Sequence, residues 1–253
     1  MVDPRQELLR YLRQQEQMYG RTLYVDRVER PAYSLPSPQA TARETLVPES
    51  VDTVHAQPQQ GASLGYEDVK TLEQFNSAIC ECLKCPLGAT RTNFVFGSGN
   101  PDADIMVIGE APGADEDEQG MPFVGRAGQL LTKILEAVEL PRETVYICNI
   151  LKCRPPNNRK PLTSETDQCE PYLWKQIEII KPKFILALGL TAANTLLKNK
   201  ESMTQLRGRV HDYQGIRTIV TYHPAALLRN PDWKKHTWED VKFLRKLYDE
   251  SRS

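Results

Sequence analysis

Four short apolar runs, each followed by a segment of helical periodicity, constrain this 253-residue chain more tightly than any other feature. They lie within Asp104–Gly109, Thr144–Ile150, Lys183–Leu188 and Arg217–Thr221. Side chains on a strand alternate between its faces, so a strand apolar at nearly every position is covered on both. The intervening segments Gly128–Val138, Ser164–Ile180 and Thr191–Leu197 carry apolar residues at helical spacing, and Ser164 with Asp167 fits a helix start. A last helix places Trp238, Val241, Leu244 and Tyr248 on one face. The expected fold class is α/β: a three-layer α/β/α arrangement around a central, mainly parallel four-stranded sheet. Ligands of such sheets bind at the carboxyl ends of the strands.

Upstream the pattern differs. Leu8, Leu9 and Leu12 sit at helical spacing among polar residues, which predicts an amphipathic helix within residues 1–30. Residues 31–66 are rich in Pro, Ser, Thr and Gln and read as a flexible linker, too poor in apolar surface to offset the entropy of ordering. The folded domain is expected over residues 67–253. No apolar run approaches the roughly 18 residues needed to span a bilayer, and the N-terminus lacks an export signal. A cytoplasmic protein is expected, with no membrane partner. Its six cysteines are then thiols or metal ligands rather than disulfides. Lys and Arg total 32 against 33 Asp and Glu, so any polyanion-binding surface comes from local clustering.

The unusual residues follow the strands. After the first come Gly109, Glu110, Pro112 and Gly113, then a carboxylate-rich stretch with Glu116, and Phe123, Gly125, Arg126 and Gly128. The spacing is neither that of a dinucleotide fingerprint nor that of a phosphate-binding P-loop. Gly and Pro let backbone approach a ligand closely, and Phe123 reads as an exposed aromatic. An ordinary acidic surface loop has similar composition. After the second strand come Asn149, Lys152, Cys153, Arg154 and Arg159. Asn149 carries an acceptor and a donor side by side, and the basic residues suit phosphates. His223 ends the fourth strand, ahead of Leu227, Leu228 and Arg229. Histidine donates to a developing anion, and loop leucines can wedge between stacked bases.

Taken together, Gly109-Glu110-Ala111-Pro112-Gly113 with Gly120-Met121-Pro122-Phe123-Val124-Gly125-Arg126-Ala127-Gly128, then Asn149-Ile150-Leu151-Lys152-Cys153-Arg154-Pro155-Pro156, then His223-Pro224, resemble the iron–sulfur (family four) uracil-DNA glycosylases. The resemblance covers roughly residues 75–250. It implies a DNA repair hydrolase, acting as a monomer on uracil-containing DNA, single- or double-stranded. Such an enzyme flips uracil out, cleaves its N-glycosidic bond and leaves an abasic site. It implies a uracil site of Gly109, Glu110, Gly113, Glu116, Phe123, Asn149 and His223, with Glu110 and His223 catalytic. Glu110 would orient the water or support the loop, and Glu116 would help exclude the thymine methyl. DNA contacts fall to Arg126, Lys152, Arg154, Arg159, Leu227, Leu228 and Arg229. The covalently trapping branch has a basic insertion near the first motif's helix that Gly125–Leu131 lacks, and Glu110 separates the chain from the branch without that Glu.

The cysteines bear on the same resemblance. Cys82 and Cys85 form a close pair, and Cys153 and Cys169 stand alone, whereas a zinc ribbon usually shows two close pairs. By spacing alone, zinc remains a competitor. The resemblance implies a [4Fe–4S] cluster on Cys82, Cys85, Cys153 and Cys169, structural in role, with Cys80 and Cys148 as ordinary thiols. Two other readings stand beside the glycosylase: a non-catalytic nucleic-acid-binding module, and a glycosylase for hypoxanthine or other deaminated bases.

Overall fold

The computed structural model describes residues 65–252 apart from residue 67, all within the unit Gln59–Ser253. The helix expected within residues 1–30 and nearly all of the expected linker lie outside the described residues. Tyr66, placed by composition in the linker, is buried, with its ring 5.0 Å from Phe75 and 5.6 Å from Tyr172.

Among the described residues six strands form one sheet: β1 (Ser98–Gly99), β2 (Ile105–Gly109), β3 (Tyr146–Asn149), β4 (Phe184–Leu188), β5 (Val210–Tyr213) and β6 (Ile216–Thr221). Their order is β1-β3-β2-β4-β6-β5, with the inner four parallel and the two edges antiparallel. The expected four-stranded sheet is therefore the parallel core of a wider one. The helices are α1 (Leu72–Ile79), α2 (Ala114–Gln119), α3 (Arg126–Glu136), α4 (Thr163–Ile180), α5 (Leu190–Leu197), α6 (Met203–Leu206), α7 (Pro224–Arg229) and α8 (Lys234–Glu250).

Strand alternation builds the three layers. Met106, Ile108, Ile185, Ala187 and Val220 pack with Phe75, Leu173, Ile177 and Ala193 from α1, α4 and α5. Ile105, Val107, Phe184, Leu186 and Ile219 pack with Leu131, Leu135, Val241 and Leu244 from α3 and α8. Every residue of β2 and β4 is buried, as their continuous apolar runs require.

Local details differ from the pattern reading. Helix α4 begins at Thr163, and its start is closed by Glu165, whose carboxylate accepts from Leu162 N at 2.8 Å, rather than by Ser164 and Asp167. Trp238 leaves the buried face of α8 and lies exposed, with Lys242 Nζ 5.5 Å from its ring centre.

Candidate active site

The carboxyl ends of β2, β3 and β6 meet around one cavity of about 340 Å³. Parallel pairing puts Gly109 directly beside Asn149, and the ladder continues as Ile150 N donates to Gly109 O (3.0 Å) and Leu151 N to Glu110 O (3.1 Å). The cavity is lined by Glu110, Gly113, Glu116, Phe123, Asn149 and His223, with Arg159 and Arg229 also in its wall. Residues from all three sequence motifs therefore converge.

The loop after β2 is held by Glu116. One carboxylate oxygen accepts from Gly113 N (3.0 Å), and the other accepts from Val124 N (2.9 Å) and Gly125 N (3.0 Å). Glu116 thus ties the two halves of the first motif together. The sequence suggested an acidic loop here, but its carboxylates open a short helix, α2, where Asp115, Glu116 and Asp117 suit the positive N-terminal end. Asp117 accepts from Thr92 N (2.9 Å) and anchors the preceding segment.

Phe123 is buried rather than exposed, and its backbone is left-handed, with φ of 54°. That conformation is uncommon for a bulky residue. Two features hold it that sequence reasoning missed. Arg142 donates to Phe123 O (3.0 Å) and Pro122 O (2.8 Å). Gly128, in the first turns of α3, leaves room that a Cβ would take from the Phe123 backbone. Gly128 lies inside the quoted motif; Arg142 lies 19 residues from Phe123, with no pattern to mark it.

Asn149 is 1% exposed, and among the described residues its Oδ1 finds no hydrogen-bond partner. A buried acceptor left unpaired costs about 1–3 kcal/mol, so a polar ligand in this cavity would find one waiting. The backbone of Asn149 is fixed from behind, where the Lys152 ammonium donates to its carbonyl at 2.7 Å.

His223 precedes α7, with Pro224 at the first helical position. Its Nδ1 accepts from Ala225 N at 3.2 Å, which leaves the ring proton on Nε2. Burial first, and the charge of Arg229 second, lower its pKa to about 4, so the ring is neutral near neutral pH. Its ring centre lies 5.5 Å from that of Phe123. Glu110 makes no side-chain hydrogen bond or ion pair among the described residues.

Some expected DNA contacts are placed elsewhere. Lys152 is fully buried, donating to Asn149 O and to Gln176 Oε1 (2.6 Å), so phosphates cannot reach it. Leu227 is buried at the inner face of α7, because helical spacing turns it inward while Leu228 stays half-buried. Arg126 is exposed outside the cavity, and Arg154 bonds Asn158 at 2.8 Å. Arg159 pairs with Glu165 at 2.6 Å at the edge of the cavity.

The cysteine region lies behind the β3 end. Cys82 Sγ accepts from Tyr172 OH (3.1 Å) and Lys84 N (3.4 Å), Cys153 Sγ from Arg91 (3.4 Å), and Cys169 Sγ from Lys152 N (3.3 Å). Arg91 joins Cys82 O to Cys153 Sγ, Tyr172 joins Cys82 to α4, and Lys152 N joins the loop after β3 to Cys169 on that helix, so the four cysteines lie in one part of the domain. Among the described residues no three such side chains gather around a single ion. A multi-iron cluster asks something else, because its thiolates bind different irons. Four cysteines gathered from three segments, three of them with sulfurs already supplied with N–H or O–H donors, fit such a group. Burial pushes the Cys169 thiol up to about 12, so its thiolate needs a nearby positive centre.

Fold and site together define an α/β protein with a pocket of mixed polar and apolar lining at the carboxyl end of a parallel sheet. The family model of the uracil DNA glycosylase superfamily matches residues 96–247, and the chain belongs to that superfamily. It is similar to the type-4 uracil-DNA glycosylase of Sulfurisphaera tokodaii, 46% identical over 186 residues, covering 70% of this chain and 84% of that protein. It is likewise similar to those of Thermotoga maritima (47% over 167 residues; 65% and 87%) and Archaeoglobus fulgidus (41% over 187 residues; 71% and 94%). Among the described residues no helix is long and apolar enough to cross a membrane.

Proposed function

We propose that this protein excises uracil from DNA by hydrolysing its N-glycosidic bond, and that the three-motif cavity is its active site. The observation that carries the reading is the buried Oδ1 of Asn149, unpaired among the described residues and set beside Phe123 and His223 in a cavity with room for a base. Uracil presents N3–H and O4, which pair with the acceptor and donor of a carboxamide, whereas cytosine presents the inverse pattern.

A base must leave the stack to reach this cavity. Phe123 stacks on it and Asn149 reads its edge. As the glycosidic bond lengthens, the sugar gains oxocarbenium character and negative charge gathers on uracil O2. His223, neutral and carrying its proton on Nε2, donates to that oxygen together with backbone N–H groups of the loop after β2. Preorganised donors of this kind act where charge appears in the transition state. The Glu110 carboxylate, untied to the loop by any hydrogen bond, orients the attacking water. Glu116 acts through the loop it holds, and thymine is refused by that fixed wall. Arg229 and Arg159 at the cavity, with exposed Arg126, take phosphates.

Cys82, Cys85, Cys153 and Cys169 would hold a [4Fe–4S] cluster. When bound, it ties the segment before β1 to the loop after β3 and to α4. A DNA substrate supports an intracellular, cytoplasmic location.

The test is release of free uracil from a uracil-containing oligonucleotide by anaerobically purified full-length protein, with absorption near ~400 nm followed in parallel. Release by protein carrying that band supports both parts of the reading. No release from cluster-loaded protein sinks the uracil assignment.

A further inference from the structure

Lys152 is the least expected side chain in the molecule. It is fully buried, and its ammonium has two neutral partners, Asn149 O at 2.7 Å and Gln176 Oε1 at 2.6 Å. Gln176 is fixed in turn, donating from Nε2 to Phe96 O at 2.9 Å. No carboxylate pairs with Lys152 among the described residues. Removing an ammonium from water is expensive unless opposite charge compensates it. Cys169 on α4 lies against the same residue, whose own backbone N–H donates to Cys169 Sγ at 3.3 Å. One residue therefore touches a cysteine of the expected cluster with its main chain and the backbone of Asn149 with its side chain.

We propose that Lys152 is a positioning residue coupling the cysteine centre to the uracil pocket, its main-chain N–H bound to Cys169 Sγ and its ammonium anchoring the Asn149 carbonyl. The inference rests on the uracil and cluster readings above. Thiolates bound to a cluster would place negative charge near this ammonium, which has no carboxylate partner among the described residues. The ammonium, held there, fixes the backbone from which the Asn149 amide projects. A role for Lys152 at DNA phosphates is replaced by one inside the domain.

Full-length Lys152→Met, purified anaerobically, is the first variant. Loss of a positive charge beside the thiolates makes electron addition harder, so the reduction potential of the centre should move to more negative values. Loss of a charge-assisted bond behind Asn149 should weaken binding of free uracil, measured by calorimetry, about tenfold or more. Lys152→Gln removes the charge but keeps a donor, so it should show a similar shift in potential with a smaller loss of uracil affinity. In the unmodified protein, saturating free uracil should itself move the potential, because coupling between two sites is reciprocal. That measurement decides the matter if neither variant assembles. Unchanged potential and uracil affinity in the variants, or a wild-type potential indifferent to uracil, overturns the coupling. Wild-type protein without the band near ~400 nm, or without uracil release, would instead overturn the readings beneath it.

Discussion

Gly109 and Asn149 are register partners at the carboxyl ends of β2 and β3, and a Cβ on Gly109 would strike the Asn149 Oδ1. The same Cβ would lie 2.6 Å from Phe123 Cζ. The missing side chain makes room for the reading amide and the stacking ring together. Gly109 does not need glycine for its backbone, since it is absent from the positive-φ positions. Gly109→Ala should therefore fold with an unchanged far-UV spectrum. Misplacement by about 1 Å near reacting groups costs roughly 100-fold in rate, so single-turnover uracil release should fall by about that factor. Wild-type release from the variant would mean that the base sits elsewhere.

Asn149→Asp keeps size and backbone but replaces the amide donor with an acceptor. Uracil O4 then meets a carboxylate, and excision should fall by about 100-fold or more, as expected when a polar pair is mismatched in a dry site. Cytosine N4 donates, so slow cytosine release should become detectable by chromatography of the freed bases. Full uracil activity in the variant would remove Asn149 from the reading role.

The pH dependence follows from His223. Its folded pKa is lowered to about 4, below the unfolded value near 6.5, by burial and by Arg229. The unfolded chain therefore takes up a proton between those values and the folded one does not. The contribution of His223 to stability is fully present above about pH 6.5 and is lost as pH falls toward about 4. For catalysis, the neutral donor persists through pH 6.5, so the acid limb of the single-turnover rate attributable to this ring should lie below pH ~5. Arg229→Ala should move that limb upward, because a nearby positive charge is gone. The cavity's other charged groups, Glu110, Glu116 and Arg159, stay in both proteins, so comparing the two profiles isolates the effect. A limb near pH 6.5 in the unaltered protein would mean that the ring titrates unshifted, whereas a rate that falls as pH rises through that value would place a protonated histidine in the reaction.

Continuous apolar strands made the parallel core legible, because full burial on both faces leaves a clear mark in sequence. The edges left none. β1 has two residues, one of them Gly99. β5 is half polar and largely exposed, and joins β6 through Gln214 and Gly215, both at positive φ, a turn whose usual Asn-Gly or Asp-Gly signal is absent. The first-motif residues could be grouped from sequence, but their mutual support could not. That Glu116 spans three backbone N–H groups, or that Lys152 turns inward, depends on tertiary geometry with no short-range pattern. Leu227 and Leu228 looked alike in sequence, and only the helical turn of α7 separated the buried one from its neighbour.

Arg142 carries the last prediction. A left-handed phenylalanine costs on the order of 1–3 kcal/mol and persists only when its surroundings hold it. Here the guanidinium holds two consecutive carbonyls, of Pro122 and Phe123, and thereby the angle at which the ring enters the cavity. Arg142→Ala should lower stability to urea by about 1–3 kcal/mol, as loss of hydrogen bonds to a charged donor does. It should also weaken free-uracil binding about tenfold, because the ring no longer lies at a fixed angle. Arg142→Lys keeps the charge but cannot reach both carbonyls as a fork, so it should restore part of the stability and little of the uracil affinity. Equal loss of stability in both variants with normal uracil affinity would show that Arg142 supports the loop without setting the pose of Phe123. Normal affinity in Arg142→Ala would further mean that Glu116 and Gly128 suffice to hold the ring, since they brace the segment from its other sides.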